Sequence, residues 1–256
     1  RQRPYAESAT LDQFGIDMID LDFTGKATLT FAGDTTAELT GAPPDDMPFW
    51  FAPPSNSSHS QLSAEIDLTN ATTATLDFLT WYGLEPSYDF AYISVSTDGG
   101  QSWRPLDPTH GTPGAYGPAW GGRSAEVTGN RNGWLAESIN LDAYAGKNLL
   151  LRFDVATDFE EAGRGFAVSE PTITGLAEQP VWQPDGFVMT GHLLPQRWEV
   201  RLIRDGNGGE AITLRLDDLN RIQTEIELGS EGGALIVVPL TPFVASAANY
   251  WLSITE

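Results

Sequence analysis

The chain has 256 residues, enough for one large domain or two smaller cores. Its 35 acidic and 14 basic residues give a formal net charge of −21, a field that repels phosphate backbones and anionic lipid surfaces and so excludes nucleic acid as a partner. The composition is globular, at 41% hydrophobic; the absence of cysteine removes disulfides, thiolate metal sites and cysteine nucleophiles, and no apolar run nears the roughly 20 residues of a membrane helix, so no membrane insertion is expected.

The chain opens Arg1-Gln2-Arg3-Pro4, without Met or a signal-peptide pattern, and is expected to be a piece of a longer polypeptide. Apolar residues then recur with period two, predicting strands over 16–22, 27–31 and 35–39. Proline and glycine punctuate 41–58, a loop-like stretch that carries Trp50 and Phe51. Alternation returns at 62–68, 74–78 and 92–96. The last of these runs into Ser96-Thr97-Asp98-Gly99-Gly100-Gln101-Ser102-Trp103, which fits the Asp-box pattern Ser-x-Asp-x-Gly-x-Ser/Thr-Trp. In such a hairpin turn Asp98 accepts from backbone amides, Gly100 permits positive φ and Trp103 packs back beneath the turn, a structural rather than chemical role.

Tyr116 and Trp120 follow in loop-like sequence and, with Trp50 and Phe51, are candidates for an aromatic platform that stacks sugar rings; most tryptophans are expected in the core. Ser124, in Gly122-Arg123-Ser124-Ala125-Glu126, lacks the second glycine of a nucleophile elbow and reads as a loop serine. Strands are expected at 135–141, 149–156 and 166–173, then a second punctuated stretch at 175–184, then strands at 186–189, 199–203, 212–216, 222–228, 234–238 and 250–254. Helical spacing is confined to single turns at 141–145 and 217–221. Asp205-Gly206-Asn207-Gly208-Gly209-Glu210 lies between two strands and precedes no helix, so it is no phosphate loop; it reads as a hairpin, with a calcium loop as the alternative.

This is an all-β pattern. About three strands before the first punctuated stretch and about six after the second are each too few to close a two-sided core. Residues 1–51 with 176–256 are therefore expected to form one discontinuous β-sandwich, with 52–175 as a β-sandwich inserted into it. No catalytic residue emerges: His59, His110 and His192 are far apart and none is followed by Glu, so the zinc motif His-Glu-x-x-His is missing. Paired carboxylates of glycosidase type carry no signal among 35 acids.

Longer stretches carry a resemblance. Trp81-Tyr82-Gly83-Leu84-Glu85 and Tyr88-Asp89-Phe90-Ala91-Tyr92-Ile93 run into the Asp-box segment. Tyr116-Gly117-Pro118, Trp134-Leu135-Ala136-Glu137-Ser138-Ile139-Asn140-Leu141, Tyr144-Ala145-Gly146, Leu151-Arg152-Phe153, Thr157-Asp158 and Gly165-Phe166 follow in order. Together they resemble the jelly-roll (MAM/lectin-like) module that follows the catalytic domain in secreted zinc metallopeptidases of the immune inhibitor A type, peptidase family M6. Gln13-Phe14-Gly15, Gly33-Asp34-Thr35-Thr36 and the closing strands are similar to the flanks of that module.

The resemblance implies a non-catalytic accessory region of a secreted or cell-surface bacterial metallopeptidase. Its partner would be an upstream catalytic domain of the same polypeptide, which it docks on or stabilises, or a protein or glycan substrate that it holds; no zinc is expected in this chain. The alternative is a carbohydrate-binding module of another secreted hydrolase, on the Trp50, Tyr116 and Trp120 platform. The resemblance further implies a structural calcium ion, a hard cation that offsets self-repulsion at this net charge. Its candidate ligands are Glu85 and Asp89 from one loop with Asp158 and Glu160 from another. Ser169 and Glu170 stand where the family shows paired Asp, which argues against a second site.

Overall fold

The computed structural model describes residues 4–39, 47–129, 133–204 and 209–256. The first punctuated stretch up to Asp46 and the expected hairpin at Asp205 to Gly208 lie outside the described residues. The chain forms two compact units, Arg1–Thr40 with Leu193–Glu256, and Gly41–His192.

The first unit pairs two four-stranded antiparallel sheets. One runs in the order Tyr5–Leu11, Ala248–Thr255, Gly25–Gly33, Arg221–Leu228; the other Glu210–Thr213, Trp198–Arg204, Gly233–Pro239, Asp17–Leu21. Period-two alternation sends one side of each strand inward: Ala27, Leu29 and Phe31 meet Val200, Leu202, Leu235, Val237 and Leu252 in one core. Tyr250 stacks on Phe31 at 5.6 Å between ring centroids, and Trp198 meets the Phe31 edge at 5.6 Å. Gly33 is obligatory there, because a Cβ would stand 2.4 Å from Trp198 Nε1.

The middle unit pairs two five-stranded sheets. One runs Leu135–Asn140, Thr75–Gly83, Gly165–Ile173, Phe49–Ala52, Val188–Thr190. The other runs Gln183–Asp185, His59–Asp67, Asn148–Ala156, Phe90–Ser96, Arg104–Pro105. From Phe49–Ala52 to Phe90–Ser96, and again from Leu135–Asn140 to Val188–Thr190, successive strands alternate between the two sheets. The core between them holds Leu62, Ile66, Leu76, Ile93, Leu151, Phe153 and Phe166.

The units divide at 40/41 and 192/193, not at the expected 51/52 and 175/176. Both punctuated stretches hide short strands of the middle unit: Phe49–Ala52 pairs with Gly165–Ile173 and Val188–Thr190, and Gln183–Asp185 with His59–Asp67. Strands of three or four residues between prolines leave too few alternations to read.

Two further expectations are corrected. Ser124 is not a loop serine but opens a five-residue helix, Ser124–Thr128, where its buried Oγ accepts from Tyr82 N (3.0 Å) and donates to Tyr82 O (3.1 Å). Trp120 is fully buried, at 0% exposure; its own backbone N–H and C=O exchange two hydrogen bonds with Ala91, which fixes it against the Phe90–Ser96 strand with the ring inward. There it lies against Phe78 and Phe166 and donates Nε1–H to Glu137 Oε1 at 3.0 Å.

Candidate metal centre

Two loops of the middle unit bring acids together. The first, 84–89, joins the Thr75–Gly83 and Phe90–Ser96 strands, and turns back on itself where Asp89 N donates to Glu85 O at 3.1 Å. Its reversal is helped by Ser87, whose φ is +74°. The second, 157–164, follows the Asn148–Ala156 strand and is laced to residues 55–58: Thr157 N donates to Ser58 O (3.0 Å), Asn56 Nδ2 to Phe159 O (3.2 Å) and Ala162 N to Asn56 Oδ1 (3.0 Å). Gly163, at φ +66°, admits no side chain, since a Cβ would lie 2.4 Å from Gly83 O.

These loops are joined by Asp158 N donating to Asp89 Oδ1 at 2.9 Å. Glu85, Asp89 and Asp158 thereby each offer a carboxylate oxygen within 4.8 Å of the others, and among the described residues no other group of three His, Cys, Asp or Glu does so. Asp89 is fully buried. Its Oδ2, like Glu85 Oε2, is shielded from solvent and has no hydrogen-bond partner. Burial pushes the Glu85 carboxyl above its ordinary range, and the charges of Asp158, Asp89, Glu161 and Glu160 push it further. The Asp89 carboxyl is also raised, chiefly by burial, against the hydrogen bond from Asp158 N.

A buried carboxylate is ordinarily paired or bound to a metal. None of the ion pairs among the described residues reaches these three. Three hard oxygen donors with two orphaned oxygens form a site fitted to an oxygen-seeking cation. Of the four ligands expected from the sequence, three converge. Glu160 does not: it is exposed, and its backbone N–H donates to Asp158 Oδ1 at 2.9 Å, so it adds charge around the site without joining it.

The other expected residues are dispersed. The Ser96 to Trp103 segment links Phe90–Ser96 to Arg104–Pro105. Asp98 Oδ1 accepts from Ser102 N (2.9 Å) and Ser96 Oγ (2.8 Å), Asp98 Oδ2 from Ser102 Oγ (2.5 Å), and Ser96 Oγ accepts from Gly100 N (2.9 Å). These bonds, led by the Ser102 hydroxyl, lower the Asp98 carboxyl to about 2. Trp103 Nε1 closes the turn on Gly100 O at 3.2 Å.

The four platform aromatics do not form one surface. Trp120 is in the core, Trp50 is half-buried against it, Phe51 is buried, and Tyr116 alone stands out, 79% exposed. His59 and His110 have separate acidic partners, Asp154 (2.9 Å) and Glu137 (3.3 Å). Sequence reading missed the role of Asn56, whose amide ties the Asp158 loop in place; a lone Asn in a serine-rich stretch carries no signal of that.

A family model described as immune inhibitor A-like, MAM domain, matches residues 33–179. Immune inhibitor A of Bacillus thuringiensis subsp. alesti is 29% identical over 152 residues, 56% of this chain and 21% of that protein. Bacillopeptidase F of Bacillus subtilis (strain 168) is 25% identical over 99 residues, 39% of this chain and 6% of that protein. Pre-pro-metalloprotease PrtV of Vibrio cholerae serotype O1 is 26% identical over 110 residues, 43% of this chain and 11% of that protein. The chain thus spans about a fifth or less of the length of these relatives. The family match takes in both acidic loops, the Asp98 turn and all but the Gln183–Asp185 and Val188–Thr190 strands of the middle unit, more than half of the chain, and the protein belongs to the immune inhibitor A-like MAM domain family.

Proposed function

We propose that this chain is a non-catalytic accessory region of a secreted bacterial zinc metallopeptidase, which docks on or stabilises the catalytic domain of the same polypeptide or holds substrate beside it. The observation that carries this reading is the family match: it falls on a β-sandwich unit, and of the relatives named above Bacillopeptidase F and pre-pro-metalloprotease PrtV are peptidases by name, with most of the length of each relative lying outside the matched region. His59 and His110 are each engaged by a different carboxylate, an arrangement unsuited to gathering imidazoles around one zinc ion.

The Glu85, Asp89 and Asp158 centre serves this role as a calcium site. Calcium accepts six to eight oxygens at about 2.3–2.6 Å, so backbone carbonyls and water would complete the shell. The ion would supply the missing partner for Asp89 Oδ2 and pin the 84–89 loop to the 157–164 loop without a disulfide. The Asp98 turn is a structural brace of Asp-box type. Both devices suit a module that must stay folded outside the cell at high negative charge.

The test is proteolysis of casein by the purified 256-residue chain with zinc and calcium supplied. No cleavage above a buffer control is expected, together with a measurable affinity for the catalytic domain of its own polypeptide. Zinc-dependent cleavage by the chain itself would overturn the reading.

A further inference from the structure

A groove on the outer face of the second five-stranded sheet is used by none of these roles. Leu151, Phe153 and Val155 of the Asn148–Ala156 strand enter the core, which leaves Arg152 and Asp154 on the opposite face. Register sets Ser94 beside Arg152 and Tyr92 beside Asp154 on one neighbouring strand, and Gln61 beside Asp154 on the other. Two turns wall this strip. Trp103, from the Asp98 turn, lies under the Arg152 guanidinium, 3.9 Å from it to the ring centroid. Tyr116 stands at the tip of the hairpin joining Thr112–Gly114 to Gly117–Ala119, its ring 6.1 Å from that of Tyr92. The space between is about 410 Å³, in the range of small-molecule sites.

The polar groups here are held in place. The buried Asp154 accepts from His59 Nε2 (2.9 Å), Arg152 Nε (2.9 Å) and Gln61 Nε2 (3.3 Å), which engages both of its oxygens. Arg152 uses only Nε in this way; among the described residues its two Nη groups, like Ser94 Oγ, make no hydrogen bond. Tyr116 presents a bare ring.

This chemistry selects a ligand class. A cation finds no unengaged carboxylate in the groove. An anion meets an arginine already neutralised by Asp154, in a chain of net charge −21. A wholly apolar ligand would strip water from Arg152 and His59 with nothing in exchange. A neutral polyol meets all the groups: its hydroxyls accept from Arg152 Nη and exchange hydrogen bonds with Ser94 Oγ, while the C–H face of a pyranose packs on an aromatic ring.

We propose that this groove binds a neutral saccharide, about one or two pyranose units deep, with Tyr116 as the stacking ring and Arg152 and Ser94 as the hydrogen-bonding groups. The site is not the platform expected from the sequence, since Trp120 and Trp50 take no part in it. It is also independent of the accessory role, because it holds for whichever catalytic domain the chain accompanies.

The experiment titrates the full chain with cellohexaose, xylohexaose, mannohexaose and chitohexaose by calorimetry, and repeats the titrations with Tyr116→Ala, Arg152→Lys and, as a control in the first unit, Trp251→Ala. At least one oligosaccharide should bind, and Tyr116→Ala should weaken it by about tenfold or more while Trp251→Ala leaves it unchanged. Arg152→Lys keeps the charge beside Asp154 but loses the forked donors, so it should weaken binding, with a cooperative thermal transition showing that the variant is folded. No binding of any of the four at millimolar concentration overturns the proposal, as does binding indifferent to Tyr116→Ala. Binding of inorganic phosphate with no saccharide bound would assign the groove to anions and equally overturn it.

Discussion

The two units are built from the same material, antiparallel strands with one face inward, yet they treat polar groups differently. Gln196, Thr241 and Ser253 are the buried polar residues described in the first unit, all of them uncharged. The buried carboxylates Asp89, Glu137 and Asp154 all belong to the middle unit. Glu137 is satisfied by Trp120 Nε1, Thr109 N and His110 N, and Asp154 by His59, Gln61 and Arg152. Asp89 alone keeps an orphaned oxygen. A carboxylate is costly to bury, so a fold that needs only stability avoids it. The middle unit carries three, two with their oxygens paired inside the fold and one, Asp89, with an oxygen that has no hydrogen-bond partner, which is why its loops and outer face are where function is sought.

If the units are separate domains, the contrast should survive cutting them apart, and this is the largest effect expected. Replacing residues 41–192 by a short Gly/Ser linker should leave a first unit that still unfolds cooperatively in urea, on the strength of its own Phe31, Tyr250 and Trp198 cluster. A product without a cooperative transition would show that the first unit depends on the middle one for its core.

Next comes Glu137→Ala. It strands the indole N–H of Trp120 in the interior and takes the acceptor from the Thr109 and His110 amides, so the middle unit should lose about 3 kcal/mol, read as a lower urea midpoint. The transition of the first unit should not move. Equal shifts in both transitions would mean that the two units unfold as one.

The third effect separates a brace from a binding site. Calcium in excess over chelator should raise the melting temperature of the middle unit by on the order of 5 °C. Asp89→Asn should abolish that increment while keeping the acceptor for Asp158 N, and a Glu160→Gln variant should retain it, because Glu160 lies outside the three-acid group. Identical melting in calcium and chelator would retire the site.

Much of the fold was legible because one-sided burial writes period two into the sequence. Gly25–Gly33 and Gly233–Pro239 alternate cleanly and fall within a few residues of their expected places. The Phe90–Ser96 strand was found, but its residues from Ala91 onward are all buried, since Trp103 and the Tyr116 hairpin lie near its outer face; nothing in its own residues announces that cover. Trp120 was misplaced for the opposite reason. Pro118, Gly121 and Gly122 mark an irregular backbone, and punctuation reports the path of the chain, not the depth of the side chain between them. The metal centre was half legible: the loop positions of Glu85, Asp89 and Asp158 came with the family resemblance, whereas their convergence, and the exclusion of Glu160, are tertiary facts set by the Asn56 and Asp158 backbone bonds.

The smallest effect tests the Asp98 turn, a charged device of the middle unit that stays at the surface. Its carboxyl is lowered to about 2 from 3.8, mainly by the Ser102 hydroxyl and amide. A depressed folded-state value means that the unfolded chain takes up the proton first, so the stabilisation is whole above pH 3.8 and lost as pH falls through about 2. Asp98→Asn keeps one acceptor oxygen and removes the charge, and should therefore lower the melting temperature slightly at pH 7. Between pH 3.8 and 2 the gap between wild type and variant should close, as the wild type loses what the variant never had. A gap that stays constant down to pH 2 would assign the contribution to the shape of the turn, through Gly99 and Gly100 at φ +72° and +87°, rather than to the carboxylate.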